Sequence, residues 1–178
     1  EELGEGRVVE KIRSRIDEIF GETESPPQDI FLDQFVPMIL KQIKSQFSHR
    51  QVDIITRFKR TPAIRIPIDP LRKVVVGLIK NAIENTPDEG KIEISVKKRG
   101  KGVELMVRDY GVGITADNQN RIFEGFFTTH ETMDYSTKQP FDFNAGGKGA
   151  DLLRMKIFSE RHNFKIHMTS SRCPHIPL

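Results

Sequence analysis

Two polar residues of this 178-residue sequence, Asn81 and Asp109, have side chains suited to binding a ligand through oxygen atoms. The amide oxygen of Asn81 is a neutral, hard donor of the kind that Mg²⁺ prefers. Ionised Asp109 can only accept hydrogen bonds, and Gly111 and Gly113 would let the backbone after it bend closely around a bound group. A solvated asparagine on a helix and an aspartate in a hairpin turn are the alternatives, and the residue types leave both open.

A second group of candidate residues lies in a glycine-rich stretch. Gly146, Gly147 and Gly149 come directly before a segment that we expect to be helical, from about 150 to 160. The free N–H groups at a helix N-terminus bind phosphate, and Lys148 would add a positive charge there. A helix C-cap or a hinge would explain the glycines equally well, and an ordinary surface lysine would explain Lys148.

Asn81 itself lies in a segment with a strong helical pattern. Asp69-Pro70 predicts the helix start, with a capping carboxylate and then proline at the first helical position, and the helix is expected to end near Asn85. Its apolar residues share one buried face: Leu71, Val74, Val75, Leu78, Ile79, Ala82 and Ile83. The opposite side carries Lys73, Gly77, Asn81 and Glu84. Spacing alone favours a plain solvated surface for that side over a ligand-facing stripe.

The other elements are predicted from shorter patterns. Asp33 is expected to cap a helix with Pro37 near its first turn; the helix carries Phe35, Met38, Ile39, Ile43 and Phe47. Strands are predicted at 53–58 and 63–66, a β-hairpin at 92–96 and 103–107, and a final strand at 164–168. A short helix is expected through Arg121 and Ile122. The polar, aperiodic stretch 125–147 is typical of a functional lid or of disorder.

Composition limits the class of protein. With 37% hydrophobic and 30% charged residues, the chain suits one soluble globular domain. A net charge of +3 is too small to indicate a nucleic-acid partner. The single cysteine, Cys173, fits a reducing compartment, so a cytoplasmic location is expected. Because no signal peptide or membrane-crossing run is found, any membrane contact is expected only through segments outside this chain.

The sequence is predicted to divide into three parts. Apolar residues from Val8 to Ile19 recur at helical spacing, so 1–20 is interpreted as the tail of a helix from a preceding module. The stretch 21–28 is rich in Gly, Ser and Pro and is interpreted as a linker. The main domain is then expected to occupy 29–178.

Four segments, in order, resemble the motifs of one family. Residues 77–87 resemble the asparagine-bearing helix of sensor histidine kinases, and 109–114 resemble their first glycine box. Residues 121–129 resemble the phenylalanine box before the ATP lid, and 146–156 resemble the second glycine box. The resemblance covers roughly residues 29–170. It implies the Bergerat fold, an α/β (α+β) two-layer sandwich whose mixed, mostly antiparallel sheet is covered on one face by helices.

The resemblance also implies a site for Mg-ATP, whose γ-phosphate would pass to a histidine elsewhere. Asn81 would ligate Mg²⁺ and, with Glu84, act in catalysis, while Asp109 would accept a hydrogen bond from the adenine amino group. The further nucleotide-binding residues implied are Asn85, Gly111, Gly113, Ile114, Phe126, Thr128, Thr129, Gly147, Lys148, Gly149 and Ala150. The implied partners are the phosphoacceptor histidine domain of the same protein, in a homodimer of the full-length chain, and a response regulator.

Several positions depart from the family pattern. Gly77 stands where these proteins carry asparagine, or the glutamate that serves hydrolytic relatives as general base, and Glu84 stands where a lysine often faces phosphate. Asp151 replaces a glycine of the second box. A carboxylate about 5 Å from a phosphate charge, at an effective dielectric near 20, costs roughly 3 kcal/mol, or about a hundredfold in affinity. The alternatives are therefore a degenerate, nucleotide-insensitive signalling domain and a gyrase-type ATPase, which Gly77 disfavours.

Overall fold

The computed structural model describes residues 21, 25–111, 113–119, 121–123, 139–143, 145 and 150–171, and only the backbone of 117 and 150. In chain order the elements are β1 (Gln28–Ile30), α1 (Leu32–Ile43), a 3₁₀ turn (Lys44–Phe47), β2 (Asp53–Phe58), β3 (Ile64–Ile66), α2 (Ile68–Asn85), β4 (Lys91–Arg99), β5 (Gly102–Asp109), α3 (Ala116–Gln119) and α4 (Ala150–Arg161). The predicted helix tail at 1–20 lies outside the described residues. In the part of the chain that is described, no helix combines the length and the apolar character needed to cross a bilayer.

The strands form two sheets. β1 and β3 pair antiparallel, with Gln28 opposite Ile66. In the larger sheet β4 is central, with β2 parallel on one side and β5 antiparallel on the other. The β4–β5 hairpin is longer than predicted, since its pairing extends from Ile92 opposite Asp109 to Arg99 opposite Gly102. The expected mixed sheet with helices is confirmed.

The main core lies between this larger sheet and two helices. Ile92, Ile94 and Val96 alternate along β4 and are fully buried. They belong to one cluster with Ile39 of α1 and Ile79 of α2. The buried side chains that alternate along β4 thus pack against the apolar stripe of α2. One face of the sheet is therefore covered by helices. This packing fixes the position of α2 over the sheet.

The predicted cap of α1 is wrong. The helix starts at Leu32 with Phe31 as N-cap residue, and no side chain caps it. Asp33 instead accepts hydrogen bonds from the backbone N–H and the hydroxyl of Thr61, at 3.2 and 2.8 Å. The Thr61 hydroxyl is the main reason that the pKa of Asp33 is lowered. Because the partner of this carboxylate is distant in sequence, local spacing did not predict it. Pro37, expected near the first turn, lies beyond that turn.

The predicted cap of α2 is also wrong, although the end of the helix near Asn85 is confirmed. The helix begins at Ile68, with Pro67 as N-cap residue and no side-chain cap. Asp69 lies within the first turn and pairs with Lys73 at 2.8 Å. The carboxylate still benefits from the helix N-terminus, since acidic groups in a first turn are stabilised by the free N–H groups.

Two shorter predictions also need correction. The helix expected through Arg121 and Ile122 ends at Gln119, and 121–123 form a turn. The strand expected at 164–168 is not formed: side chains from 164 to 170 alternate between half-buried and exposed, but this segment has no strand pairing among the described residues. The alternation of burial matches the predicted pattern, whereas a strand also requires a hydrogen-bonded neighbour.

Candidate functional site

The end of α2 and the start of the loop after β5 meet in direct contact. A Cβ atom built on Gly111 would lie 1.9 Å from the carbonyl oxygen of Asn85, so only glycine fits there. The side chain of Asp109 folds back onto the same loop, because its Oδ1 accepts a hydrogen bond from the Gly111 N–H at 3.1 Å. The Asn85 side chain donates to the backbone oxygen of Asn81 at 2.8 Å. Asn81 and Asp109, 28 positions apart, are thus held on the same side of the molecule.

The next part of this loop is fixed by contacts with residues near the end of the described chain. Gly113 has φ of +73°, a left-handed conformation that glycine adopts at no steric cost. The Ile114 N–H donates to the Ser170 hydroxyl at 2.9 Å. Gln119 bridges the same pair, since its amide donates to the backbone oxygens of Ile114 and Ser170. The predicted residues Gly113 and Ile114 therefore lie in an ordered loop.

Helix α4 packs beside α2, on the side that carries Gly77. A Cβ atom on Gly77 would lie 2.6 Å from the terminal methyl carbon of Met155, which is fully buried. Val74, Met155 and Phe158 form a separate apolar cluster between the two helices. The interpretation of the Gly77 side as a solvated surface is therefore wrong, because packing between two helices was not visible in the spacing of α2 alone.

Asp151 does not stand alone at the start of α4. Arg154, one turn later, donates a hydrogen bond to its Oδ1, and Nζ of Lys80 lies 3.5 Å from its Oδ2. The three side chains are mostly buried, with 19%, 16% and 24% of the side chain exposed for Asp151, Arg154 and Lys80. Asp151 thus has two cations beside it, of which Lys80 is shared with Glu84, whereas the sequence suggested an isolated anion.

Glu84 is buried, with 4% of the residue exposed. Its Oε1 accepts a hydrogen bond from the Phe141 backbone N–H at 3.0 Å, and Lys80 Nζ lies 3.7 Å away. Burial is the main cause of its raised pKa, and the Lys80 charge opposes that shift. The Glu84 side chain therefore connects the Asn81 helix to the segment around Phe141. A solvated position for it is excluded, and its catalytic role stays a prediction.

The remaining predicted residues divide into two groups. Phe126, Thr128, Thr129, Gly147, Lys148 and Gly149 lie outside the described residues, while the backbone of Ala150 begins α4. The sequence reasoning overlooked Lys80, Arg154 and Arg50. Of these, Lys80 and Arg154 had a local signal, their spacings of four residues from Glu84 and three residues from Asp151.

The donor chemistry near Asn81 fits a magnesium ion that is shared with a phosphate-bearing ligand. In the described ranges, no group of three or more His, Cys, Asp or Glu side chains could hold a metal ion. Among the described residues, the hydrogen bond found at Asn81 uses its backbone oxygen, and its side chain offers an amide oxygen, which is a hard ligand. Mg²⁺ is commonly held by one or two protein oxygens together with substrate phosphates, which is what this set of residues offers.

Comparison with known proteins identifies the family. A sequence model of the family described as histidine kinase-, DNA gyrase B-, and HSP90-like ATPase matches residues 67–174. The matched range starts one residue before α2, includes the β4–β5 hairpin and contains α4. The chain therefore belongs to this ATPase family.

Individual relatives are sensor kinases. The sensor-like histidine kinase SenX3 of Mycolicibacterium smegmatis is 34% identical over 96 residues, which are 54% of this chain and 23% of that protein. Full-length ShkA in complex with AMPPNP superposes with a TM-score of 0.61 at 19% identity, over 78% of this chain and 27% of that one. Histidine kinase ThkA in complex with the response regulator TrrA gives 0.57 at 20% identity, over 77% and 42%. The two structures establish the fold, and the chain spans about a quarter of the length of curated relatives such as SenX3.

Proposed function

We propose that this chain is the ATP-binding catalytic domain of a two-component sensor histidine kinase. The observation that carries the proposal is the contact between Gly111 and Asn85, which joins the asparagine-bearing helix to the loop of Asp109. The family includes phosphotransferring and hydrolytic members. The sensor kinases among the relatives favour phosphotransfer.

Different residues would bind the two ends of a nucleotide, the adenine base and the phosphates. Asp109 would accept a hydrogen bond from the adenine amino group, a choice that disfavours guanine, because guanine has a carbonyl at that edge. Asn81 would hold Mg²⁺, which neutralises phosphate charge when bound. The N-terminus of α4, with the glycines before it, would receive the phosphates. Positioning and charge neutralisation are the main contributions that a protein makes to phosphoryl transfer.

The phosphoryl group would pass to a histidine outside this chain. The bond between the γ-phosphorus and the bridging oxygen of ADP breaks, and a bond from phosphorus to an imidazole nitrogen forms. We place that imidazole on a helical module of the same protein, in a homodimer of the full-length chain. A response regulator would be the next partner, by analogy with the ThkA–TrrA complex. We place the domain in the cytoplasm, with any membrane contact made by other segments.

Two rival functions are less well supported by the site. A gyrase-type ATPase would need a general base at position 77, and there Gly77 packs under Met155 and has no side chain to activate water. A degenerate domain was suggested by the charge of Asp151, but Lys80 and Arg154 compensate that charge. These contacts of Asp151 support a nucleotide-binding domain over a degenerate one.

Replacing Asp109 with asparagine tests the adenine-binding role. Asparagine loses the charge-assisted hydrogen bond, worth ~1.5–3 kcal/mol, so AMPPNP binding should weaken about tenfold or more. The new amide N–H₂ can donate to the guanine carbonyl, so the preference for adenine over guanine nucleotides should fall. Isothermal titration calorimetry with AMPPNP and the matching guanine analogue, both with Mg²⁺, measures both effects. Asp29→Asn is a matched control, because this exposed carboxylate makes only a 3.5 Å contact with Arg65.

Wild-type chain that gives no heat and no thermal protection at millimolar AMPPNP would refute nucleotide binding. If the wild type binds but Asp109→Asn leaves both affinities unchanged, the binding proposal stands and the adenine-binding role of Asp109 is wrong.

Replacing Asp151 with asparagine tests the compensation of its charge. Because Lys80 and Arg154 already neutralise most of the carboxylate, AMPPNP affinity should rise by less than about tenfold, against the hundredfold expected for an isolated anion. Calorimetry on the two forms measures the ratio, again with Asp29→Asn as control. A gain near a hundredfold would show that the charge is uncompensated and would support a domain weakened in nucleotide binding.

A further inference from the structure

The larger sheet has a second face, on the side opposite to α1 and α2. Ile92, Ile94 and Val96 of β4 point into the core, so the residues between them point the other way. The pairing register then assigns to this second face the odd-numbered residues of β2 and β4, the even-numbered residues of β5, and the flanking Lys59 and Tyr110. We call this set the outer face. All of its residues are among those that the structure describes.

The outer face carries an excess of positive charge. It has six basic against three acidic side chains, and this net charge of +3 equals that of the whole sequence. Two of the acids already have cationic partners on the same face. Glu93 pairs with Lys91 at 2.7 Å, and Glu104 pairs with Lys97 at 2.9 Å and also with Arg99. A surface with such an excess attracts ligands of negative charge.

A groove of about 230 Å³ lies in the middle of the outer face. In the register, Ser95 of the central strand lies between Arg57 of β2 and Met106 of β5, and its short side chain leaves the space for the groove. Ile55 and Lys59 continue the β2 side. Sites for small molecules usually have ~300–1,000 Å³, so this groove suits one or two side chains of a partner better than a cofactor.

The outer face also presents exposed side chains of the types that protein interfaces favour. Met106 is 39% exposed and Tyr110 is 43% exposed. The Tyr110 ring lies between two cations, with Lys91 Nζ at 5.1 Å and the guanidinium carbon of Arg108 at 4.7 Å from the ring centre. Tyrosine, methionine and arginine are enriched at protein interfaces, and tyrosine and arginine also in binding hot spots. These types occur together on this one face.

The arrangement of charges favours an acidic protein segment over other polyanions. A nucleic-acid backbone would bring its phosphates close to Glu93 and Glu104, which interrupt the positive charge. An anionic bilayer is bound through apolar side chains that reach beyond the charged ones, whereas Met106 lines a groove among longer basic side chains. A protein segment can instead place carboxylates at Arg57 and Lys59 and one apolar side chain against Met106.

We propose that the outer face is a docking surface for a partner protein, which binds through an acidic segment with an apolar side chain in the groove. The carboxylates of the segment pair with the exposed cations Arg57 and Lys59, and its apolar side chain contacts Met106. This goes beyond the proposed nucleotide binding, because α2 with Asn81 covers the opposite side of the sheet. Docking therefore leaves the helix of Asn81 free to act.

The test titrates three synthetic peptides into the chain and follows amide chemical shifts. The peptides are repeats of Glu-Glu-Leu, Glu-Glu-Ser and Lys-Lys-Leu, and the first alone has both the acidic and the apolar character. It should bind more tightly than the other two and shift the amides of Ser95 and Met106. Its affinity should fall as salt is added, because salt screens exposed charges.

Two variants with matched controls identify the surface. Met106→Gln should weaken binding of the Glu-Glu-Leu peptide about fivefold, because an apolar contact is lost. Met38→Gln should leave it unchanged, since Met38 is a methionine of similar exposure, 40%, on α1. Arg57→Gln should weaken binding about twofold to fivefold, as expected for an exposed ion pair. Lys41→Gln, which removes an exposed cation of α1, should have no effect.

Absence of binding, or equally tight binding of the Glu-Glu-Ser peptide, would overturn the proposal. Equal losses in the variants and their controls would do the same, because the attraction would then be diffuse. Tighter binding to phosphatidylserine vesicles or to a DNA duplex, lost in Met106→Gln, would assign the outer face to a different partner and also overturn it. The titrations contain no nucleotide, so failure here would leave the proposed ATP-binding function standing.

Discussion

Replacing Gly111 with alanine is expected to abolish measurable AMPPNP binding and to destabilise the fold. The added methyl carbon would lie 1.9 Å from the Asn85 carbonyl oxygen and 2.8 Å from its carbonyl carbon. Both atoms belong to the backbone at the end of α2, so neither can turn away as a flexible side chain would. The loop of Asp109 must then separate from the helix of Asn81 by more than an ångström.

Two consequences follow from that separation. Overpacking against rigid backbone typically costs about 1–3 kcal/mol in free energy of unfolding. Binding should suffer more, because a misplacement of about 1 Å between groups that must act together can reduce function by about a hundredfold. We therefore expect a lower midpoint of thermal unfolding and no calorimetric heat with AMPPNP and Mg²⁺.

Gly102→Ala is the matched control for this substitution. A Cβ atom on Gly102 would make one ordinary contact, at 3.9 Å from the Arg99 backbone oxygen. This variant should bind AMPPNP as the wild type does. Normal binding in Gly111→Ala would mean that the contact between helix and loop is not needed to form the site.

The parts of the fold that the sequence predicted correctly are those with a local pattern. The long stripe of α2 and the alternation of β4 and β5 are repeated signals, and each repeat adds information about burial. The placement of Asn81 and Asp109 near one site was inferred from ordered motifs whose glycines have a geometric reason. Gly111 shows that reason directly, since the approach of Asn85 leaves no space for a side chain.

The missed feature with no local signal is Arg50, whose partners are far from it in the chain. Arg50 reaches Phe141 across 91 positions and Ile83 across 33, and a lone arginine before a strand has no periodicity to reveal this. The same limit explains the wrong cap of α1, since Asp33 is bound by Thr61 from 28 positions away. Polar side chains satisfy whichever donors the folded chain brings near, so their partners follow from the tertiary structure.

Replacing Asn81 with alanine is expected to remove the magnesium dependence of nucleotide binding while leaving the fold intact. In the wild type, Mg²⁺ should strengthen AMPPNP binding because the Asn81 amide oxygen and the phosphates share the ion. Alanine has no ligand atom at this position. Losing one of the few protein ligands should weaken the metal-dependent part of binding by about 10–100-fold, if its effect matches that of other changes around metal sites.

The stability of the Asn81→Ala variant separates this explanation from unfolding. Alanine has a higher helix propensity than asparagine, and the bond from Asn85 uses the backbone oxygen of residue 81, which the substitution keeps. The variant should therefore unfold at the same temperature as the wild type or slightly higher. If replacing a residue stabilises the protein but abolishes binding, that residue serves binding and costs stability.

Calorimetric titrations of AMPPNP with and without Mg²⁺ measure the magnesium dependence of binding in Asn81→Ala and wild type. Gln46→Ala is the control, because it removes an exposed amide from the 3₁₀ turn. Equal magnesium dependence in Asn81→Ala and wild type would exclude Asn81 as the metal ligand. The same result would remove the argument for a metal beside α2, since that argument rests on the Asn81 amide oxygen. Loss of the magnesium effect in this variant alone would place the metal, and with it the phosphates, beside Asn81 on α2, between the contact of α2 with α4 at Gly77 and its contact with the Asp109 loop at Asn85.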